Sequence, residues 1–145
     1  MKRTVGIGHQ DFETIRENHI FYVDKTDFIR EWWGSADMVT LIMRPRRFGK
    51  TLTISMAEKF FSARYAGRGD LFEGLRVWES AEMRKLQGTF PVISLSFAAV
   101  KERSYEAAVQ RICQLLADVY NDNRFLLKGD WLSPEERDYF QGVSA

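Results

Sequence analysis

An α/β fold with three layers, a mainly parallel sheet held between helices, is the class this 145-residue sequence predicts. Three observations carry the expectation. Residues 38–43 (MVTLIM) form a continuous apolar run of strand length, as expected of a strand buried on both faces of a parallel sheet. A basic loop follows at once, and from Lys50 to about Ala63 the residues Leu52, Met56, Ala57, Phe60 and Phe61 recur at helical spacing. Residues 90–97 then read as a second strand and about 104–120 as a long amphipathic helix. This alternation argues for parallel strands joined by right-handed crossovers.

Taken in order, residues 11–18 (DFETIREN) predict a helix of one or two turns, with Phe12 and Ile15 on one face. Residues 20–23 (IFYV) are apolar and partly β-branched, which suggests a short strand. Asp24, Lys25, Thr26 and Asp27 offer N-cap chemistry for a helix through Phe28, Ile29, Trp32 and Trp33, ended by Gly34 and Ser35. After the loop and its helix, residues 65–70 (YAGRGD) make a turn, and residues 71–75 (LFEGL) pack back. Residues 79–86 predict a short helix. In residues 90–97 (FPVISLSF) Pro91 is confined to the strand entry, because it cannot donate a ladder hydrogen bond. The helix of about 104–120 carries Ala108, Val109, Ile112, Leu116, Val119 and Tyr120 along one stripe. Ser133 followed by Pro134 reads as an N-cap with proline at the first helical position, opening a helix through Tyr139. The chain divides, on this reading, into an N-terminal helical and strand segment, residues 1–36, and a larger core that holds the basic loop, residues 37–145.

Composition bounds the function. Hydrophobic residues make up 45% and charged residues 28%, the balance of a soluble globular protein. A formal net charge of +1 recruits neither nucleic acid nor anionic membrane as a whole. The aromatic content of 14% implies that a partner or further chain covers part of the surface. Cys113 is the single cysteine, which excludes an internal disulfide and fits a reducing cytosol; on the apolar side of its helix it reads as a packing residue. Met1-Lys2-Arg3 is followed by no apolar stretch, so no signal peptide is read there, and no run reaches the roughly 20 apolar residues of a membrane span. The expected location is the cytoplasm.

The chemistry lies in Arg44-Pro45-Arg46-Arg47-Phe48-Gly49-Lys50-Thr51. A P-loop presents successive backbone N–H groups as a concave nest at a helix N-terminus, around an anionic phosphate. The usual pattern G-x-x-x-x-G-K-[ST] adds a lysine for the β/γ-phosphates and a hydroxyl for Mg²⁺. Gly49, Lys50 and Thr51 match its second half, while Arg44 stands in place of the first glycine. Pro45 restricts Arg44 to extended geometry, which suits a residue finishing a strand. The alternative reading is a solvated basic turn, or one that touches nucleic-acid phosphates.

The run from Leu41 to Leu52 (LIMRPRRFGKTL), with Ser55, Met56, Phe60 and Phe61 after it, resembles the bacterial AAA-ATPase-like family, in which R-P-R-R-F-G-K-[ST] is the usual form of the loop. Gly6-Ile7-Gly8, Asp11-Phe12, Tyr22-Val23-Asp24-Lys25-Thr26, Leu71-Phe72-Glu73-Gly74-Leu75 and Pro91-Val92-Ile93 also match. The resemblance covers about residues 5–100 well. It implies that Lys50 binds the β/γ-phosphates of ATP, that Thr51 ligates Mg²⁺, and that Arg46, Arg47, Phe48 and Gly49 contribute backbone N–H groups. It further implies a place for Asp24 and Lys25 near the adenine; the other reading of Asp24-Lys25 is an N-cap with a surface lysine. Trp32 and Trp33 read as packing residues rather than base-stacking ones.

Hydrolysis requires a second strand ending in an aspartate for Mg²⁺, with a residue that positions the attacking water. No run of four apolar residues followed by Asp-Glu occurs here, so the core is expected to lack that strand, the chain being either the N-terminal part of a longer protein or a natural truncation that keeps the loop and loses the strand. Full-length relatives often continue into a restriction-type nuclease-like domain of the PD-(D/E)XK kind. The function expected is therefore an ATP-binding switch or motor part of a larger protein, with weak or absent hydrolysis in this chain. Its partners would be the nucleotide and a second copy or a downstream domain, with nucleic acid reached only through the longer protein. The alternatives are a non-catalytic protein-interaction module, or phosphate-backbone binding of nucleic acid through Arg44, Arg46, Arg47 and Lys50.

Overall fold

The computed structural model describes residues 4–145, so the Met1-Lys2-Arg3 start lies outside the described residues. The architecture is helical. Helix α1 spans Phe12–Glu17, α2 Asp27–Ser35, α3 Lys50–Phe61, α4 Arg76–Glu79, α5 Ala81–Leu86, α6 Tyr105–Asp122 and α7 Pro134–Ser144, with short 3₁₀ turns at Ala63–Tyr65, Gly69–Phe72 and Arg124–Leu127. The chain forms two compact units, one reaching to Val92 and one from Ile93 to Ala145.

The expected three-layer α/β fold with a mainly parallel sheet is overturned: among the described residues there is no sheet. Pairing is limited to two isolated parallel bridges, Thr4 with Ile20 and Ser62 with Phe90. Residues 38–43 carry no ladder, and Met38, Val39, Leu41 and Met43 are exposed, Met38 completely. Residues 20–23 and 90–97 form no strand beyond their single bridged positions. The physical reason is that an apolar run reports what its side chains prefer, whereas a strand also needs a partner for its N–H and C=O groups.

The first unit is held by aromatic packing. Phe12, Ile29, Met56, Phe60, Phe61, Leu71, Phe72, Leu75, Val77 and Met83 are buried in one cluster. Phe72 stacks on Phe12 with ring centroids 5.1 Å apart and meets Phe60 edge-on at 5.1 Å. Such ring pairs add about 0.5–1.5 kcal/mol each beyond their area burial. Trp33 stacks on Phe61 at 5.7 Å and Trp32 meets the same ring edge-on at 5.5 Å, so both tryptophans are packing residues.

Helix α1 is tied to α3 by a polar contact under this core. Asp11 caps α1 by accepting from the Thr14 N–H, and its other oxygen receives Lys59 Nζ at 3.1 Å and the Ser55 hydroxyl at 3.1 Å. Ser55 Oγ in turn accepts from the Phe12 N–H at 3.0 Å. Lys59 is buried and lies over the Tyr65 ring. Burial works against ionisation of Asp11, but the Thr14 and Lys59 contacts outweigh it and bring its carboxyl down to about 2.

In the second unit, α6 and α7 pack together through Tyr120 and Phe140, whose centroids are 4.8 Å apart. Ser133 is the N-cap with Pro134 at the first helical position, as the sequence predicts, and it makes a reciprocal capping box with Glu136; Ser104 caps α6. Arg137 gathers the carbonyls of Leu127, Gly129 and Leu132 into one clasp. Cys113 is exposed rather than packed, because no residue of α6 is buried.

Candidate functional site

The basic loop enters α3 through two left-handed residues. Arg47 has φ 68° and Gly49 has φ 76°. Glycine takes this conformation freely, whereas an arginine is held there at a cost of about 1–2 kcal/mol. Backbone strain of this kind concentrates where N–H groups must be turned toward a common point. The strain therefore falls at Arg47, three positions after the Arg44 substitution on which the sequence draws attention. Arg44 is tolerated because only its backbone is used: its carbonyl accepts from Lys50 Nζ at 2.6 Å, and its side chain is exposed.

Helix α3 is unusual in lacking both normal N-terminal compensations. Gly49 provides no side-chain cap, and no acidic residue lies in the first turn. The first N–H groups and the positive end of the helix dipole are thus left to an outside anion. Further along, the Thr53 hydroxyl bonds back to the Gly49 carbonyl at 2.9 Å, fixing the junction. Thr51 is exposed, and among the described residues its hydroxyl makes no hydrogen bond.

Three clefts surround this junction. One of about 490 Å³ is lined by Ile7, Gly8, His9 and Gln10 against Arg47, Gly49, Lys50 and Thr51. A second, of about 400 Å³, lies between Tyr22, Val23 and Lys25 on one side and Phe48 and Gly49 on the other. The third, of about 480 Å³, brings Lys25 and Phe28 to Arg44, Phe48 and Lys50. Their linings include Lys25, Arg44, Arg47 and Lys50 but, among the described residues, no aspartate or glutamate. The guanidinium groups of Arg44, Arg46 and Arg47 make no ion pair among the described residues. The surroundings are those of an anion site.

Asp24 is placed differently from Lys25. Its carboxylate accepts from the Thr26 N–H at 2.9 Å, the Thr26 hydroxyl at 2.6 Å and the Arg76 N–H at 2.8 Å, where α4 begins. Thr26 is fully buried, and its hydroxyl oxygen accepts from the Val77 N–H at 3.1 Å. Burial pushes the Asp24 carboxyl up, but these donors outweigh it and hold it below the usual carboxylate range. Sequence reasoning saw a local N-cap in this segment; the partner 52 residues away left no sequence signal. Lys25, by contrast, turns to the loop, and a methyl group built on Gly49 would stand 3.5 Å from its Nζ.

Among the described residues, no group of three or more His, Cys, Asp or Glu side chains is arranged to hold a metal. A Mg²⁺ ion would fit here only as part of a phosphate complex, with Thr51 supplying the protein oxygen. No helix among the described residues is long and apolar enough to cross a membrane.

The comparisons with known proteins give a family and a relative. The model of the AAA-ATPase-like family, described as "Predicted AAA-ATPase", matches residues 6–138. A curated relative from Azotobacter chroococcum mcd 1, described as an uncharacterized protein in the vnfD 5' region, is 33% identical over 116 residues. That match spans 79% of this chain and 21% of the relative, so the chain covers only about a fifth of the relative's length. No solved structure matches the chain.

Proposed function

The chain belongs to the AAA-ATPase-like family, and on that premise we propose that its loop binds the phosphates of Mg-ATP, as the nucleotide-sensing part of a larger protein. The observation that carries the proposal is the pair of left-handed residues, Arg47 and Gly49, at a helix N-terminus without a side-chain cap, beside clefts lined by Lys25, Arg44, Arg47 and Lys50. Phosphate recognition requires this loop and helix end, and both are built without a sheet. In the proposed complex the N–H groups of Arg46, Arg47, Phe48 and Gly49 face the phosphates. Lys50 exchanges the Arg44 carbonyl for the β/γ-phosphate oxygens, and Thr51 meets the Mg²⁺ ion. Lys50 is thereby a latch: the loop closes on its own carbonyl when no phosphate is present. The proposal is for binding, with hydrolysis weak or absent, since these residues supply no group to position an attacking water.

Isothermal titration of the chain with Mg-ATP tests the reading. Binding by the wild type and its loss in Lys50→Ala is the expected result. Equal affinity in both forms would remove the loop from the account and favour the interaction-module alternative.

A further inference from the structure

We propose that Lys25 is a second phosphate-binding cation, delivered to the loop by a rigid turn, and that it contacts the phosphate chain rather than the base. The proposal rests on the reading of the loop as a nucleotide phosphate site. Position is the first argument. Lys25 is shared by the two clefts that flank Phe48, and its ammonium approaches the backbone of Gly49, the residue that opens α3. Lys50 lines one of these clefts together with Lys25, and its ammonium is held there by the Arg44 carbonyl.

The second argument is electrostatic. The Lys25 ammonium makes no hydrogen bond or ion pair among the described residues, and no carboxylate lines the clefts it enters. It stands instead among Arg44, Arg47 and Lys50, where like charges repel one another. A polyanion converts that repulsion into attraction, and each added phosphate strengthens the effect. An adenine ring offers no such return to an ammonium group.

The third argument is preorganisation. Lys25 sits between two anchored neighbours. Asp24 is tied to Thr26 and to the start of α4, and Thr26 is buried and bonded to Val77. The Lys25 carbonyl accepts from the Phe28 N–H at 3.1 Å, and its N–H faces the Tyr22 hydroxyl. The lysine stem therefore starts from a fixed backbone, and only its own rotamers must be ordered on binding.

The test is calorimetric titration of the full chain with sodium tripolyphosphate, which has no base, and separately with Mg-ATP. Wild type, Lys25→Ala, Lys25→Arg and Lys50→Ala are compared, with circular dichroism to establish that each is folded. Lys25→Ala is expected to weaken tripolyphosphate and ATP by the same factor, about tenfold, as for one exposed lysine–phosphate contact. Lys25→Arg should retain most of the affinity. A loss for ATP without a loss for tripolyphosphate would put Lys25 on the base and overturn the proposal. Unchanged binding in Lys25→Ala beside weakened binding in Lys50→Ala would overturn it while leaving the nucleotide reading intact. Failure of the wild type to bind ATP would remove both.

Discussion

Substitution of Asp24 by alanine should unfold the first unit at markedly lower temperature, although Asp24 lies outside the hydrophobic core. The carboxylate accepts three hydrogen bonds, from the Thr26 N–H, the Thr26 hydroxyl and the Arg76 N–H. A bond to a charged group contributes about 1.5–3 kcal/mol when shielded; this carboxylate is only part-buried, so screening reduces the total for three to about 2–3 kcal/mol. For a unit of this size that corresponds to a fall of roughly 10–20 °C in the unfolding midpoint. Asp24→Asn keeps an acceptor oxygen without the charge and should cost about half as much. Thr26→Val breaks the same network from the other side, so the double variant should be less destabilised than the sum of the singles. The assay is thermal and urea unfolding followed by circular dichroism. A midpoint for Asp24→Ala within about 2 °C of wild type, less than about 0.5 kcal/mol, would refute the reasoning.

Further outcomes follow from the same contacts. Asp11 has its carboxyl held at about 2, so its contribution to stability is complete above pH ~4 and is lost as pH falls from there through 2. Acid unfolding of Asp11→Asn should therefore show a shallower dependence over that interval, measured as midpoint against pH, and an unchanged slope would count against the Lys59 and Thr14 contacts. Gly49→Ala forces a side chain into a φ of 76° beside Lys25, and should cost about 1–2 kcal/mol in urea unfolding while weakening Mg-ATP. Arg47→Gly relieves strain at φ 68° and should stabilise the chain by about 1 kcal/mol, measured in the same way.

Much of the helical layout was legible in the sequence because its signals are local. The helices read over residues 11–18 and about 104–120 and the Ser133-Pro134 start are all present, and Asp11, Ser104 and Ser133 each cap the helix that they precede. Met56 and Phe60 recur at helical spacing and are buried, and Leu71, Phe72 and Leu75 pack back after their turn. The sheet failed for the opposite reason. Whether residues 38–43 pair is decided by a second segment, and nothing within the run itself carries that information. The short helix read over residues 79–86 is α5, which starts two residues later, at Ala81, because Ser80 takes an extended conformation to cap it.

The loop shows the same division. Its residue types and its place before a helix were readable, along with the lysine and hydroxyl that phosphate chemistry calls for. The left-handed Arg47 was not, since no residue preference signals an arginine at positive φ. Nor was the closed latch between Lys50 and the Arg44 carbonyl, a contact between a side chain and a backbone group six residues apart. The separation of Asp24 from Lys25, one bonded to α4 and the other turned to Gly49, depends on long-range packing alone.

The central claim is that the backbone N–H groups from Arg46 to Gly49 enclose phosphate. Amide nitrogen–proton NMR spectra of the isotopically labelled chain, titrated with Mg-ATP, address it residue by residue. The account predicts that the largest shifts fall on Arg46, Arg47, Phe48 and Gly49, and that they vanish in Lys50→Ala. Shifts scattered over the surface, confined to other residues, or identical in Lys50→Ala would contradict it.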